Sequence, residues 1–234
     1  KGELIPRDMN KSIYYYSLAA NQNDAQAQFN LGYLYSEGEL IPRDMNKSIY
    51  YYSLAANQND AQAQNNLGYL YSKGELIPRD MNKSIHFFSL AANQNHADAQ
   101  FNLGLLYLKG ELIPRDMNKS IHYFSLAANQ NDADAQFNLG VLYEKGELIP
   151  RDMNKSIHYY SLAANQNHVN AQFNLGVLYS EGELIPRDMN KSIHYYSLAA
   201  NQNHAQAQYN LGVLYSKGEL IPRDMNKSIH YYSL

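Results

Sequence analysis

Histidines and carboxylates are the side chains in this 234-residue sequence that could carry acid/base or metal chemistry, and their spacing argues against both. His86, His122, His158, His194 and His230 recur every 36 residues, where Tyr14 and Tyr50 stand in the first two copies. Rungs on packed helices lie about 10 Å apart. Zinc needs its nitrogen ligands about 2 Å from one ion, so a metal shared between rungs is excluded. His96, His168 and His204 alternate with Asp24, Asp60 and Asp132 at another repeating position and read as solvated surface residues. Asp44 and its equivalents look like helix caps, and no two acids recur at a distance that suits acid/base work. There is no Ser-His-Asp set, nucleophile elbow or phosphate loop. The chain is expected to be non-catalytic, with no cofactor and no metal.

One modification signal repeats. Asn10, Asn46, Asn82, Asn118, Asn154, Asn190 and Asn226 each open an N-K-S triplet, a glycosylation acceptor if the chain enters a secretory route. Seven copies of one segment count as a single observation. The other reading is that Ser48 supplies a small side chain whose hydroxyl bonds a carbonyl one turn back. The compartment stays open between a secretory or extracellular route and the cytoplasm.

These residues sit in a strict frame. Gly2, Gly38, Gly74, Gly110, Gly146, Gly182 and Gly218 fall 36 residues apart without insertion or deletion, so residues 1–234 form one array of six and a half units. A period of this length means stacked supersecondary units rather than a globular enzyme. The net charge is -3 and each unit's charges cancel, leaving no basic stripe for nucleic acid. Cysteine is absent, and no apolar run reaches the length of a membrane span.

Residues 23 to 58 serve as the model unit. Asn23 is expected to cap a first helix, A, with Gln26 reaching back, and Ala27, Leu31, Leu34 and Tyr35 recur at helical spacing. Gly38 suits the left-handed position that ends helix A, and Asp44 the N-cap of a second helix, B. Ser48, Tyr51, Tyr52, Ala55 and Ala56 then line one face of B. A single A–B pair leaves an apolar face open, and stacking the next pair covers it.

The spacing A-x-A-x-x-x-L-G-x-x-Y-x-x-G from Ala25 to Gly38, followed by Pro42-x-Asp44 and by Ala55-Ala56, resembles the Sel-one-like repeats, relatives of the tetratricopeptide repeats. The resemblance covers the whole chain. Ser48 departs from the usual Ala, and Tyr51 stands where the family often has Trp. The resemblance implies an all-α, right-handed α/α superhelical solenoid with helix A on the concave side, and roles as adaptor or scaffold.

A helical wheel turns Ala27, Leu31, Leu34 and Tyr35 inward and Gln26, Phe29, Tyr33 and Ser36 outward. The outer pairs read Phe29/Tyr33, Asn65/Tyr69, Phe101/Leu105, Phe137/Val141, Phe173/Val177 and Tyr209/Val213. With Asn30, Asn66, Asn102, Asn138, Asn174 and Asn210 beside them, they form a candidate groove for a peptide or protein segment, since an amide both donates and accepts. The alternative is packing between repeats by the Phe residues and bridging by the Asn residues. Asn65, which replaces a ring, would leave a hole in a core but is harmless on an open surface. The expected function is a non-catalytic interaction scaffold with a protein or peptide partner. The second expectation is a structural segment of a longer array that self-associates through uncapped ends.

Overall fold

A computed structural model describes residues 9–38, 41–74, 77–111, 113–147, 149–218 and 221–233. Among them the chain forms α-helices only, paired in repeats as an all-α solenoid. The B helices are α1 (Met9–Asn21), α3 (Met45–Asn57), α5 (Met81–Asn93), α7 (Met117–Ala128), α9 (Met153–Asn165), α11 (Met189–Ala200) and α13 (Met225–Tyr232). The A helices are α2 (Ala25–Glu37), α4 (Ala61–Lys73), α6 (Ala97–Lys109), α8 (Ala133–Lys145), α10 (Val169–Glu181) and α12 (Ala205–Lys217). Backbone proximity groups them into two compact units, Lys1–Tyr123 and Phe124–Leu234. The expected loop glycine Gly2 lies outside the described residues.

Both expected glycine and aspartate signals hold. Gly38 sits at φ 71° and its N–H donates to the Leu34 carbonyl, as a left-handed C-cap should. Asp44 accepts from the Lys47 amide and starts α3. The A-helix start differs by one residue from the sequence expectation. Asp24, not Asn23, is the N-cap, accepting from the Ala27 amide at 2.7 Å. Asn23 takes the left-handed conformation at φ 67° that turns the chain out of α1, a state asparagine tolerates better than most residues.

Within each unit the A helices α2, α4, α8 and α10 pack on the B helix that follows through a glycine, Gly32, Gly68, Gly140 and Gly176 respectively. A Cβ added at Gly32 would lie 2.6 Å from Tyr52 Cδ1, and one at Gly68 2.6 Å from Phe88 Cδ1. The missing side chain lets the buried ring seat against the backbone. Tyr52, Ala55, Ala56, Ala63 and Leu67 form one such core cluster in the first unit. Tyr160, Ala163, Ala164, Ala171 and Leu175 form its counterpart in the second. Some of the buried serines bond across this seam rather than one turn back: Ser120 Oγ donates to the Gly104 carbonyl at 2.9 Å, and Ser192 Oγ to that of Gly176 at 2.8 Å. The buried hydroxyls of Ser48, Ser84 and Ser156 have no hydrogen-bond partner among the described residues.

A glutamine joint also fixes the frame. Gln28 is buried, donates Nε2 to the Ala20 carbonyl of α1 at 3.2 Å, and accepts from Gln58 Nε2 at the end of α3 at 2.8 Å. The same joint recurs at Gln64 with Ala56 and Gln94, and at Gln136 with Ala128 and Gln166. One amide thus ties an A helix to the B helices before and after it, leaving no buried polar group of its own unpaired.

Candidate functional site

The A helices are buried over a wider arc than a two-sided wheel allows, because each touches two B helices. Phe29 and Ser36, expected on the outer side, are half-buried and buried. The Phe29 ring rests against Tyr52 with centroids 5.7 Å apart. Phe137 lies 5.8 Å from Tyr160, and Phe173 5.8 Å from Tyr196. Phe101 is likewise half-buried. One turn on, Tyr33 and Tyr69 are 50% and 48% exposed, while Leu105, Val141, Val177 and Val213 are half-buried; Tyr209, at the position of Phe29, is 55% exposed. The ladder is therefore packed in part: Phe29, Phe137 and Phe173 rest on buried tyrosines, whereas Tyr33, Tyr69 and Tyr209 are open to solvent.

The asparagines are divided in the same way. Asn174 Nδ2 donates to the Tyr160 hydroxyl at 3.1 Å, and Asn66 and Asn210 bond Tyr52 and Tyr196. Burial raises the pKa of all three tyrosines. For Tyr160 the Glu144 carboxylate, which accepts from its hydroxyl at 2.6 Å, raises it further. Asn138 Nδ2 donates to the Asp134 carbonyl, Asn30 Oδ1 accepts from Gln26, and Asn102 Nδ2 reaches Asn65 Oδ1 at 3.4 Å across neighbouring A helices.

The histidines at the A-helix starts are more than solvated residues. His96, His168 and His204 are N-caps, each with Nδ1 accepting the amide three residues on. The His168 ring stacks on Phe137 at 4.6 Å, and that of His204 on Phe173 at 4.6 Å. His168 Nε2 also meets Asp134 Oδ1 at 3.1 Å, with only 14% of the imidazole exposed. Alternation with aspartate at this position was the available signal, since both types cap a helix through a side-chain acceptor. His86, His122, His158, His194 and His230 are exposed on the B helices, as expected.

Position 65 interrupts this packing. Asn65 stands where Phe137 and Phe173 carry the ring that stacks on a capping histidine, so His96 faces an amide instead. An open depression of about 480 Å³ lies there, lined by Phe29, Asn30 and Tyr33 of α2, Gln62, Asn65 and Asn66 of α4, and His96 and Asp98 at the start of α6. A second, of about 250 Å³, adjoins the far end of α4. Among the described residues no three His, Cys, Asp or Glu side chains converge as a metal site, and no helix is long and apolar enough to cross a membrane. Asn46, Asn82, Asn118, Asn154, Asn190 and Asn226 are exposed near the starts of the B helices, whereas the serines of the same triplets are buried. The Asn10 side chain lies outside the described residues.

Comparison with protein families finds the Sel1 repeat at residues 1–24, 25–60, 61–96, 97–132, 133–168, 169–204 and 205–234. The chain belongs to the Sel1-repeat family. Each full match in this Sel1-repeat chain begins with an A helix, so the family's unit is the helix pair described above. A protective antigen of uropathogenic Escherichia coli with an SLR fold is 30% identical, with a TM-score of 0.85, over 97% of this chain. The chain spans 48% of that antigen's length. A Sel1-repeat protein from Oxalobacter formigenes is 28% identical, with a TM-score of 0.77, over 97% of this chain and 98% of its own. An immunity protein from Pseudomonas aeruginosa, 24% identical with a TM-score of 0.51 over 81% of this chain and 72% of its own, shares the fold. Comparison with the curated proteins gives no significant match.

Proposed function

We propose that this chain is a non-catalytic scaffold that takes a peptide or protein segment on the outward faces of its A helices. The observation that carries this reading is the open depression at Asn65, where a repeat otherwise held nearly constant gives up a packed ring and leaves amides and aromatic edges facing solvent. Three successive A-helix repeats contribute to it, so an extended segment crossing α2, α4 and α6 would meet Tyr33, Asn65 and Asp98 in turn. Amides bond an extended backbone, and exposed tyrosines supply contact area at low entropic cost.

Restoring the ring provides the test. Panning a random peptide library against the immobilised chain is expected to yield binders, and Asn65→Phe should weaken them about ten-fold or more by filling the depression, as truncation or blocking of a central contact does. Thermal stability should hold or rise, because Phe is the residue the frame accepts at this position in other repeats. A library that yields no binder, or binders indifferent to both Asn65→Phe and Tyr33→Ala, would sink the reading.

A further inference from the structure

Lysines in this protein fall into two groups. Those on the B helices are occupied: Lys47 lies 3.7 Å from Asp44 and over the Tyr35 ring, and Lys83, Lys119, Lys155, Lys191 and Lys227 repeat the arrangement. Those ending the A helices differ. Among the described residues, Lys73 and Lys109 have no carboxylate within ion-pair reach. Their equivalents Glu37 and Glu181 show that a cation is not needed there for folding.

Both lysines line the second depression, with Arg79 between them in sequence and Glu111 as the one acid among the described lining residues. The floor is apolar, made by Met81, Phe88, Leu106 and Ile113. Lys73 Nζ stands 5.4 Å from the centre of the Tyr69 ring, at the rim. Among the described lining residues three cations stand against one acid, in a chain whose net charge is -3, a local exception to the molecule's overall sign. The depression begins on α4 at Tyr69, one turn beyond Asn65, and extends to Lys73, so Asn65 and Lys73 are about 12 Å apart along the helix. That is the reach of about four residues of extended chain.

We infer that this depression is a subsite for an acidic residue of the bound peptide, together with an apolar residue two positions away. The inference rests on the peptide-scaffold reading and adds its ligand preference. Side chains i and i+2 of an extended segment point to one side, so an aliphatic or aromatic side chain enters over Phe88 and Leu106 while an aspartate or glutamate two residues along meets Lys73 and Lys109. The lysines lie on neighbouring A helices, at a separation of about 10 Å between axes, and flexible stems let both ammonium groups close on one carboxylate.

The experiment sequences the library binders, remakes them with amidated C-termini and a fluorophore, and measures anisotropy on three proteins. Binders are expected to carry an acidic residue two positions from an apolar one. K73Q with K109Q should weaken them about ten-fold, and changing the peptide's acid to its amide should weaken binding to the parent equally but not weaken the double variant further. K145Q with K217Q, the same charge change on A-helix ends outside the depression, should leave affinity unchanged. Binders without acidic residues, equal losses for both lysine pairs, or binding that needs a free C-terminal carboxylate would each overturn the subsite while leaving the groove intact. An absence of binders, or binders indifferent to Asn65→Phe and Tyr33→Ala, would instead remove the groove and the subsite with it.

Discussion

Tyr160 shows how far one variable position alters a repeated core. Its hydroxyl donates to Glu144 at 2.6 Å and accepts from Asn174 at 3.1 Å, whereas the matching Tyr52 and Tyr196 hydroxyls meet Ser36 and Ser180 at 3.4 and 3.3 Å. Burial first, and for Tyr160 then the Glu144 carboxylate, pushes the tyrosine pKa upward. Above about pH 10 an unfolded tyrosine releases its proton while these keep theirs. The unfolded state then binds fewer protons than the native one, so stability is full below that pH and falls as pH rises through the window above it. Tyrosinate absorbance during an alkaline titration should therefore show a late class of tyrosines that ionise together with loss of helical circular dichroism. Smooth ionisation of every tyrosine at its ordinary value, with helicity intact, would contradict this. At neutral pH, Tyr160→Phe strips a half-buried carboxylate of its donor and should cost about 1–3 kcal/mol, measured by denaturant melting. Glu144→Ser in the same background should recover part of that loss, because it removes the half-buried carboxylate that has lost its donor.

At the level of the helix pair, glycine sets the closeness of the seam. Gly68→Ala would place a methyl 2.6 Å from the Phe88 ring, and overpacking of this kind costs about 1–3 kcal/mol. Phe88→Leu in the same chain should return part of the loss by removing the ring edge. An unchanged denaturation midpoint for Gly68→Ala would mean that α4 and α5 are not held this closely. Gly38 and Asp44 were legible from sequence because each residue type has one mechanical use at that point, ending one helix and starting the next. Asn23 and Asp24 were not separable, since both cap helices well and asparagine also suits the left-handed turn. Gln28 was missed for a different reason. A wheel sorts residues into two sides, but an A helix meets α1 through Gln28 and Ala20 as well as α3 through Gly32 and Tyr52, so the arc that remains for ligands is narrow. Position 65 was legible as an anomaly, yet the depression it opens depends on His96 and Asp98, which come from the next repeat.

On the scale of the chain, contacts join each helix mainly to its sequence neighbours, and both compact units are built from the same glycine seams and glutamine joints. Stability in such an array is a sum of unit terms and nearest-neighbour interfaces. A defect should thus be felt locally. Gly176→Ala would bring a methyl to 2.5 Å from the Tyr196 ring at the α10–α11 seam. Hydrogen exchange is expected to quicken in α10 and α11 and in the adjoining α9 and α12, while amides of α2 to α4 keep their protection. Gly68→Ala should give the mirror result, quickening α4 and α5 with α3 and α6 and sparing α10 to α12. Uniform acceleration along the whole chain after either change would show one cooperative unfolding step. The local outcome bears directly on function, because Asn65, Lys73 and Lys109 all lie on α4 and α6. Gly68→Ala should then loosen the peptide surface and weaken selected binders, whereas Gly176→Ala, equal in its steric cost, should leave their affinity as it is in the parent.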